Sequence, residues 1–138
     1  MHTEVVTEFA KYKKLGEQTL AQVTADALNY LPGTNSIALI VCHLHGNLLS
    51  CFTDFLTTDG EKPWRNRAAE FAEIRYTRPA VETLRAAGWA QLEATLAELA
   101  DNDLQKLVAI KGKPMTVACH VGQMCCWGGR PAPGNGNI

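Results

Sequence analysis

Residues 34–56 read TNSIALIVCHLHGNLLSCFTDFL. Thr34-Asn35-Ser36 is a run of N-capping residues. Behind it Ile37, Ile40, Val41, Leu44, Leu48, Phe52 and Phe55 recur at the period of a helix. The spacing predicts a helix from Ile37 to about Leu56, ~30 Å long at ~1.5 Å per residue. Its most apolar part, Ile37–Leu49, is shorter than the roughly 20 residues that cross a bilayer, and it holds two His. The stretch therefore reads as a core helix and not as a membrane span.

Before it, Val5, Phe9, Tyr12, Gly16, Leu20, Val23 and Ala27 predict a helix over residues 4–28, closed by Pro32-Gly33. After it, Thr57–Arg78 has no sustained period. It carries the turn signal Asp59-Gly60, the basic stretch Lys62–Arg67, and Ala68–Ile74, long enough for one or two helical turns. A connection of this length inside a compact domain is usually functional or partly helical. Pro79 suits the first turn of a third long helix, with Val81, Leu84, Gly88, Leu92, Leu96 and Leu99 as its stripe. Asn102–Ile110 reads as a short helix or a strand, ended by Lys111-Gly112-Lys113-Pro114. A fourth helix spans Met115 to about Trp127. The tail 128–138, GGRPAPGNGNI, is too rich in Gly and Pro to pack regularly. The expected fold is all-α: an antiparallel four-helix bundle over residues 1–127, followed by the tail. The long crossing segment lets helices two and three run in the same direction.

The totals narrow the function. A chain of 138 residues with 46% hydrophobic and 20% charged residues suits one domain with one core. A net charge of −1, with no basic run longer than Lys13-Lys14, argues against nucleic-acid binding. Met1–Glu8 is polar and acidic, unlike a secretory leader, so a cytoplasmic protein with no membrane partner is expected. The five Cys are an odd number without a pairing pattern, as expected of reduced thiols. Most read as small buried hydrophobes. Cys119, beside His120, is the one with a plausible activator.

His43 lies on the second helix, with Gly46, Asn47, Ser50 and Asp54 along the same polar stripe. Such a stripe is either a solvated face or a cleft in which His43 is a ligand. His45 is about 200° around the helix and cannot aim at the same ion. His120 is on the fourth helix. Two His hold a metal only with further ligands, since zinc sites take at least three protein groups, and the position one turn before His120 is Thr116. The Lys62–Arg67 loop, with Trp64 and Arg65, is either solvated or a place for an anionic group at the cleft mouth.

Taken together, Asn35-Ser36-Ile37-Ala38, His43-Leu44 with Gly46-Asn47, the stretch 53–67 (TDFLTTDGEKPWRNR), Glu70-Phe71, Gly88-Trp89 and His120-Val121-Gly122-Gln123 form a pattern. It resembles an uncharacterised branch of the DinB-like superfamily over about residues 1–125. The resemblance implies a four-helix bundle in up-down-down-up order, often dimeric. It implies a divalent metal, Zn or Ni, held by one His on the second helix and a His-x-x-x-His pair on the last. Relatives include transferases and isomerases that use low-molecular-weight thiols, where the metal stabilises a thiolate.

Carried over, His43 and His120 are the metal ligands, and Thr116 stands where the third His is expected. In an enzyme, Asn47 or the loop with Trp64 and Arg65 is expected to contact substrate. The last helix, about 13 residues or ~20 Å, is too short to cover ~30 Å neighbours. Two functions follow as expectations. One is a metal-dependent thiol S-transferase-like enzyme. The other is a non-catalytic helical domain with a degenerate metal site, a homodimer whose partner covers the surface left by the short helix.

Overall fold

The computed structural model describes residues 2–30, 35–72 and 74–128, with backbone alone for residues 2 and 123–128. The Pro32-Gly33 break and residues 129–138 of the expected tail lie outside the described residues. The described chain is mostly helical, with six helices and one small sheet: α1 (His2–Gln22), α2 (Ala25–Leu28), α3 (Ile37–Phe52), α4 (Arg67–Glu70), α5 (Arg78–Glu98), β1 (Leu107–Ile110), β2 (Lys113–Thr116) and α6 (Val117–Gly128). A 3-10 turn, Asp101–Gln105, joins α5 to β1. None of the described helices is long and apolar enough to cross a membrane.

The helix starts follow side-chain chemistry. Thr24, Ser36, Asn66 and Thr77 each sit in extended backbone and accept the N–H three residues on, at 3.1–3.3 Å. Thr24 is the reason that the helix expected over residues 4–28 is two helices: its side chain caps a fresh turn at Ala25. α3 ends at Phe52, short of the expected Leu56. Gln91 and Thr95 of α5 both donate to the Phe52 carbonyl at 2.9 Å and close the helix there. Asp54 then turns the chain with a positive φ of 47°.

The all-α expectation is corrected by β1 and β2, an antiparallel hairpin with Leu107 opposite Thr116 and Ile110 opposite Lys113. Of the two readings left open for Asn102–Ile110, the 3-10 turn takes the first half and the strand the second. Lys111 and Gly112 both have positive φ, 52° and 74°, the backbone that a two-residue type I′ hairpin loop demands. A Lys in that region needs outside support. Asp59 gives it, accepting the N–H groups of Lys111 and Gly112 at 2.8 Å each.

α3 and α5 form the most extensive helix pair; α1 packs on α6 and α5. The larger core gathers Phe9, Leu48, Phe52, Trp89, Leu92, Leu96, Val108, Val117 and Val121. A second cluster, Leu20, Leu28, Ala38, Val41 and Val81, seals the other end of α3. Of the apolar stripe read from the sequence, Val41, Leu48, Phe52 and Phe55 are buried, Ile37 and Leu44 are half-buried, and Ile40 is 54% exposed.

Candidate functional site

The polar stripe of α3 meets the loop that follows it. That loop holds itself down through its own polar groups. The Ser50 hydroxyl donates to the Gly60 carbonyl and accepts the Lys62 N–H at 3.0 Å. The Lys62 ammonium is buried, donating to the carbonyls of Ser50 at 2.7 Å and Asp59 at 2.6 Å. Gly60 N–H donates to Ala109 O at 2.8 Å, so the loop is also tied to β1. The stretch that reads as a basic surface loop has turned its Lys inward.

Arg65 is turned inward as well. Its side chain is 4% exposed and forks onto the carboxylate of Glu70, with Nη2–Oε1 at 3.0 Å and Nε 3.3 Å from each oxygen. Its Nη1 donates to Asn47 Oδ1 at 3.2 Å, and the Cys51 thiol donates to the same oxygen at 3.7 Å. A buried ion pair of this kind stands only when further hydrogen bonds satisfy its remaining groups, and Asn47 does so here. Glu70 ends α4, the single turn that Asn66 caps. The carboxylate lies over Gly46: a Cβ at that position would stand 2.6 Å from Glu70 Cδ.

His43 completes the cluster. Its Nδ1 is buried without a hydrogen-bond partner, and Glu70 Oε1 is 3.8 Å away. The ring tilts against Phe71 with centroids 5.0 Å apart. The side chain is 24% exposed, so its accessible part lies away from Nδ1. Burial pushes its pKa below 6.5; Glu70 opposes that shift, and Arg65 and Arg67 add to it. His43 is thus a neutral imidazole near neutral pH, the form that ligates a metal or accepts a proton.

The other expected site residues fall elsewhere. His120 is 4% exposed and packs against both Phe52 and Phe55, ring centroids 5.8 and 5.5 Å away, while those two rings are 5.1 Å apart. Phe52 is nine residues beyond His43 on α3, roughly 13 Å along its axis, so the fold does not bring His43 and His120 together. Thr116 caps α6, its hydroxyl accepting the Cys119 N–H at 3.1 Å. Trp64 is 56% exposed. Among the described residues no group of three or more His, Cys, Asp and Glu side chains is placed to hold a metal ion. The donor set within reach of His43, one carboxylate already forked by Arg65, does not fit the three-His centre that the resemblance implies.

Asn47 and Arg65, expected at a substrate site, do meet beside His43, but they bind each other. The residue that sequence reasoning missed is Glu70. No spacing rule links position 70 with position 43; in the sequence Glu70 stood out only as part of the Glu70-Phe71 pair in the family resemblance. An open groove of about 390 Å³ between α1 and α5 is lined by Lys13, Glu17, Arg85 and Glu93 and by none of the residues around His43.

No curated protein and no solved structure matches the chain. A family model matches residues 2–126, and on that match the chain belongs to DUF1572, a family of proteins of unknown function.

Proposed function

We propose that this protein is a DinB-like helical domain, non-catalytic and with a degenerate metal centre, whose binding group is the single imidazole of His43 on α3 beside Glu70 of α4. The observation that carries this reading is the separation of the two expected ligands. His120 is packed against Phe52 and Phe55, while His43 lies two and a half turns earlier along α3, against Glu70 and Phe71. Thr116, at the position of the third ligand, is committed to capping α6. In the up-down-down-up order of the superfamily a long last helix would run alongside α3. Here α6 begins only at Val117. A second copy of the chain covering the uncovered part of α3, where Ile40 is exposed, fits the dimer expected from the resemblance.

The arrangement of His43 also favours a second reading, a Zn- or Ni-dependent enzyme acting on a low-molecular-weight thiol. A carboxylate behind the inner nitrogen of an imidazole is the usual setting of a metal-bound His. In this reading groups from outside the chain complete the coordination of His43.

Metal content of purified protein, offered Zn and Ni and then passed over a sizing column, separates the two. The degenerate site retains far less than one ion per chain, and His43→Ala changes nothing. Near-stoichiometric metal that is lost in His43→Ala overturns it in favour of the enzyme.

A further inference from the structure

We infer that Glu70 is a positioning residue for His43: held by Arg65 and Asn47 above Gly46, it fixes the imidazole with its proton on Nδ1 and its Nε2 lone pair facing outward. This rests on the reading of His43 as the binding group, and it adds which nitrogen binds and what sets it.

The argument starts from a buried atom without a partner. Nδ1 of His43 is occluded and makes no hydrogen bond. A buried polar atom left so demands an explanation, because leaving a donor or acceptor unmet costs about 1–3 kcal/mol. An Nδ1 carrying its proton has an acceptor at hand: Glu70 Oε1 at 3.8 Å, a closing movement of less than about 1 Å from hydrogen-bond length. An Nδ1 carrying a lone pair instead would face that carboxylate with no donor, since Arg65 spends its described bonds on Glu70 and Asn47. Of the Arg65 contacts, Nη2–Oε1 at 3.0 Å is one full bond, and the two Nε contacts at 3.3 Å are one N–H shared between the oxygens. Each carboxylate oxygen offers about two lone-pair directions, so Oε1 can still accept from Nδ1–H.

The carboxylate cannot swing away. Arg65 grips both oxygens, and Asn47 fixes the guanidinium from the other side. Close approach of Glu70 to the helix requires that residue 46 have no side chain, and it is Gly. Phe71, the next residue in the chain, lies against the imidazole ring and limits its rotation. Five residues from two segments thus converge on one consequence, the tautomer of His43. The protonated edge is buried, and the accessible quarter of the side chain carries the free lone pair. That edge suits a borderline-soft divalent cation taking one protein ligand, or a ligand O–H or N–H donor.

Imidazole in water prefers the proton on Nε2, so the opposite tautomer is a signature of the surroundings. Long-range proton–nitrogen NMR spectra of the protein, at a pH where His43 is neutral, report which nitrogen is bare. The spectra of wild type should show Nδ1–H and bare Nε2 for His43, assigned by its loss in His43→Ala. Glu70→Ala should return His43 to Nε2–H or to rapid exchange between the two forms. Glu70→Asp, which keeps the charge and withdraws it by one methylene, should give an intermediate result and serves where Glu70→Ala does not fold. A wild-type spectrum showing Nε2–H overturns the inference. So does an Nδ1–H signal unchanged in a folded Glu70 variant. Metal retention does not enter this readout, so the positioning role of Glu70 and the reading of His43 as the binding group can fail separately.

Discussion

Asp59 Oδ2 accepts the backbone N–H of Gly112 at 2.8 Å, a bond between residues 53 positions apart. With Oδ1 on Lys111 and Glu61, the carboxylate holds the β1–β2 turn against the end of α3. The N–H groups of Glu61, Gly112 and Lys111, in that order, hold its pKa below the ordinary 3.8. The depressed value means that its contribution is present above pH 3.8 and is lost as pH falls through the lower folded value. Asp59→Asn keeps one acceptor oxygen and loses the other. Amide hydrogen exchange at Lys111 and Gly112 should accelerate in that variant at neutral pH. Unchanged protection would show that the hairpin turn stands without the clamp.

Gly46→Ala sets two effects against each other. Alanine gains up to about 1 kcal/mol of helix propensity over glycine. Against it, the new methyl would lie 2.6 Å from Glu70 Cδ, and crowding of this kind costs about 1–3 kcal/mol. Displacement of the carboxylate from Arg65 adds to that cost. Urea unfolding should show Gly46→Ala destabilised by about 1–3 kcal/mol. Gly122→Ala, in an exposed part of α6 with no described atom within 4 Å of the added methyl, should gain a few tenths to 1 kcal/mol.

His120 is held neutral by burial, which lowers its pKa below 6.5. The unfolded chain therefore takes up this proton first as the pH falls. Stability contributed here is complete above pH 6.5 and declines below it until the folded value is passed. His43 and His45, also lowered chiefly by burial, add the same sign. His120→Phe should flatten the slope of stability against pH below 6.5 and cost less than about 1.5 kcal/mol at pH 7, since a ring packed against Phe52 and Phe55 is retained. His120→Ala should cost about 2–4 kcal/mol. A slope unchanged in His120→Phe would show that another group carries the acid sensitivity.

Lys62→Met keeps the stem of the side chain and removes its charge. The carbonyls of Ser50 and Asp59 then lose a donor each. About 2 kcal/mol should be lost, read as a lower urea midpoint with an unchanged slope. An unaffected midpoint would return Lys62 to the solvated role that its sequence neighbours imply.

The long helices were legible by their 3.6-residue apolar period, helped at α3 by a cap and at α5 by a proline in the first turn. Ser36 before Ile37 and Pro79 in the first turn of α5 behave as read. What the period could not show is an interruption that leaves the apolar spacing intact, as the cap at Thr24 does within residues 4–28. Nor could it decide the hairpin: four residues, Leu107–Ile110, are too few to separate strand from helix, and the turn is stabilised by Asp59 from another segment. His43 was legible as a polar position on an apolar helix. Its surroundings were not, because Arg65 and Lys62 are charged residues in a loop and only tertiary pairing buries them.

The bond from Asp59 to the β1–β2 turn also orders events in time. A contact between residues more than fifty positions apart forms only after the loop-closing cost has been met by the packing of the intervening chain. On a ribosome, α3 and α5 emerge before Gly112 does. The segment 57–67 must therefore wait, with Asp59 bonded only to Glu61 of its own turn, while the long helices pair. The last polar knot to be tied belongs to the stretch most characteristic of the sequence, and any truncation of the chain before Gly112 would leave it open.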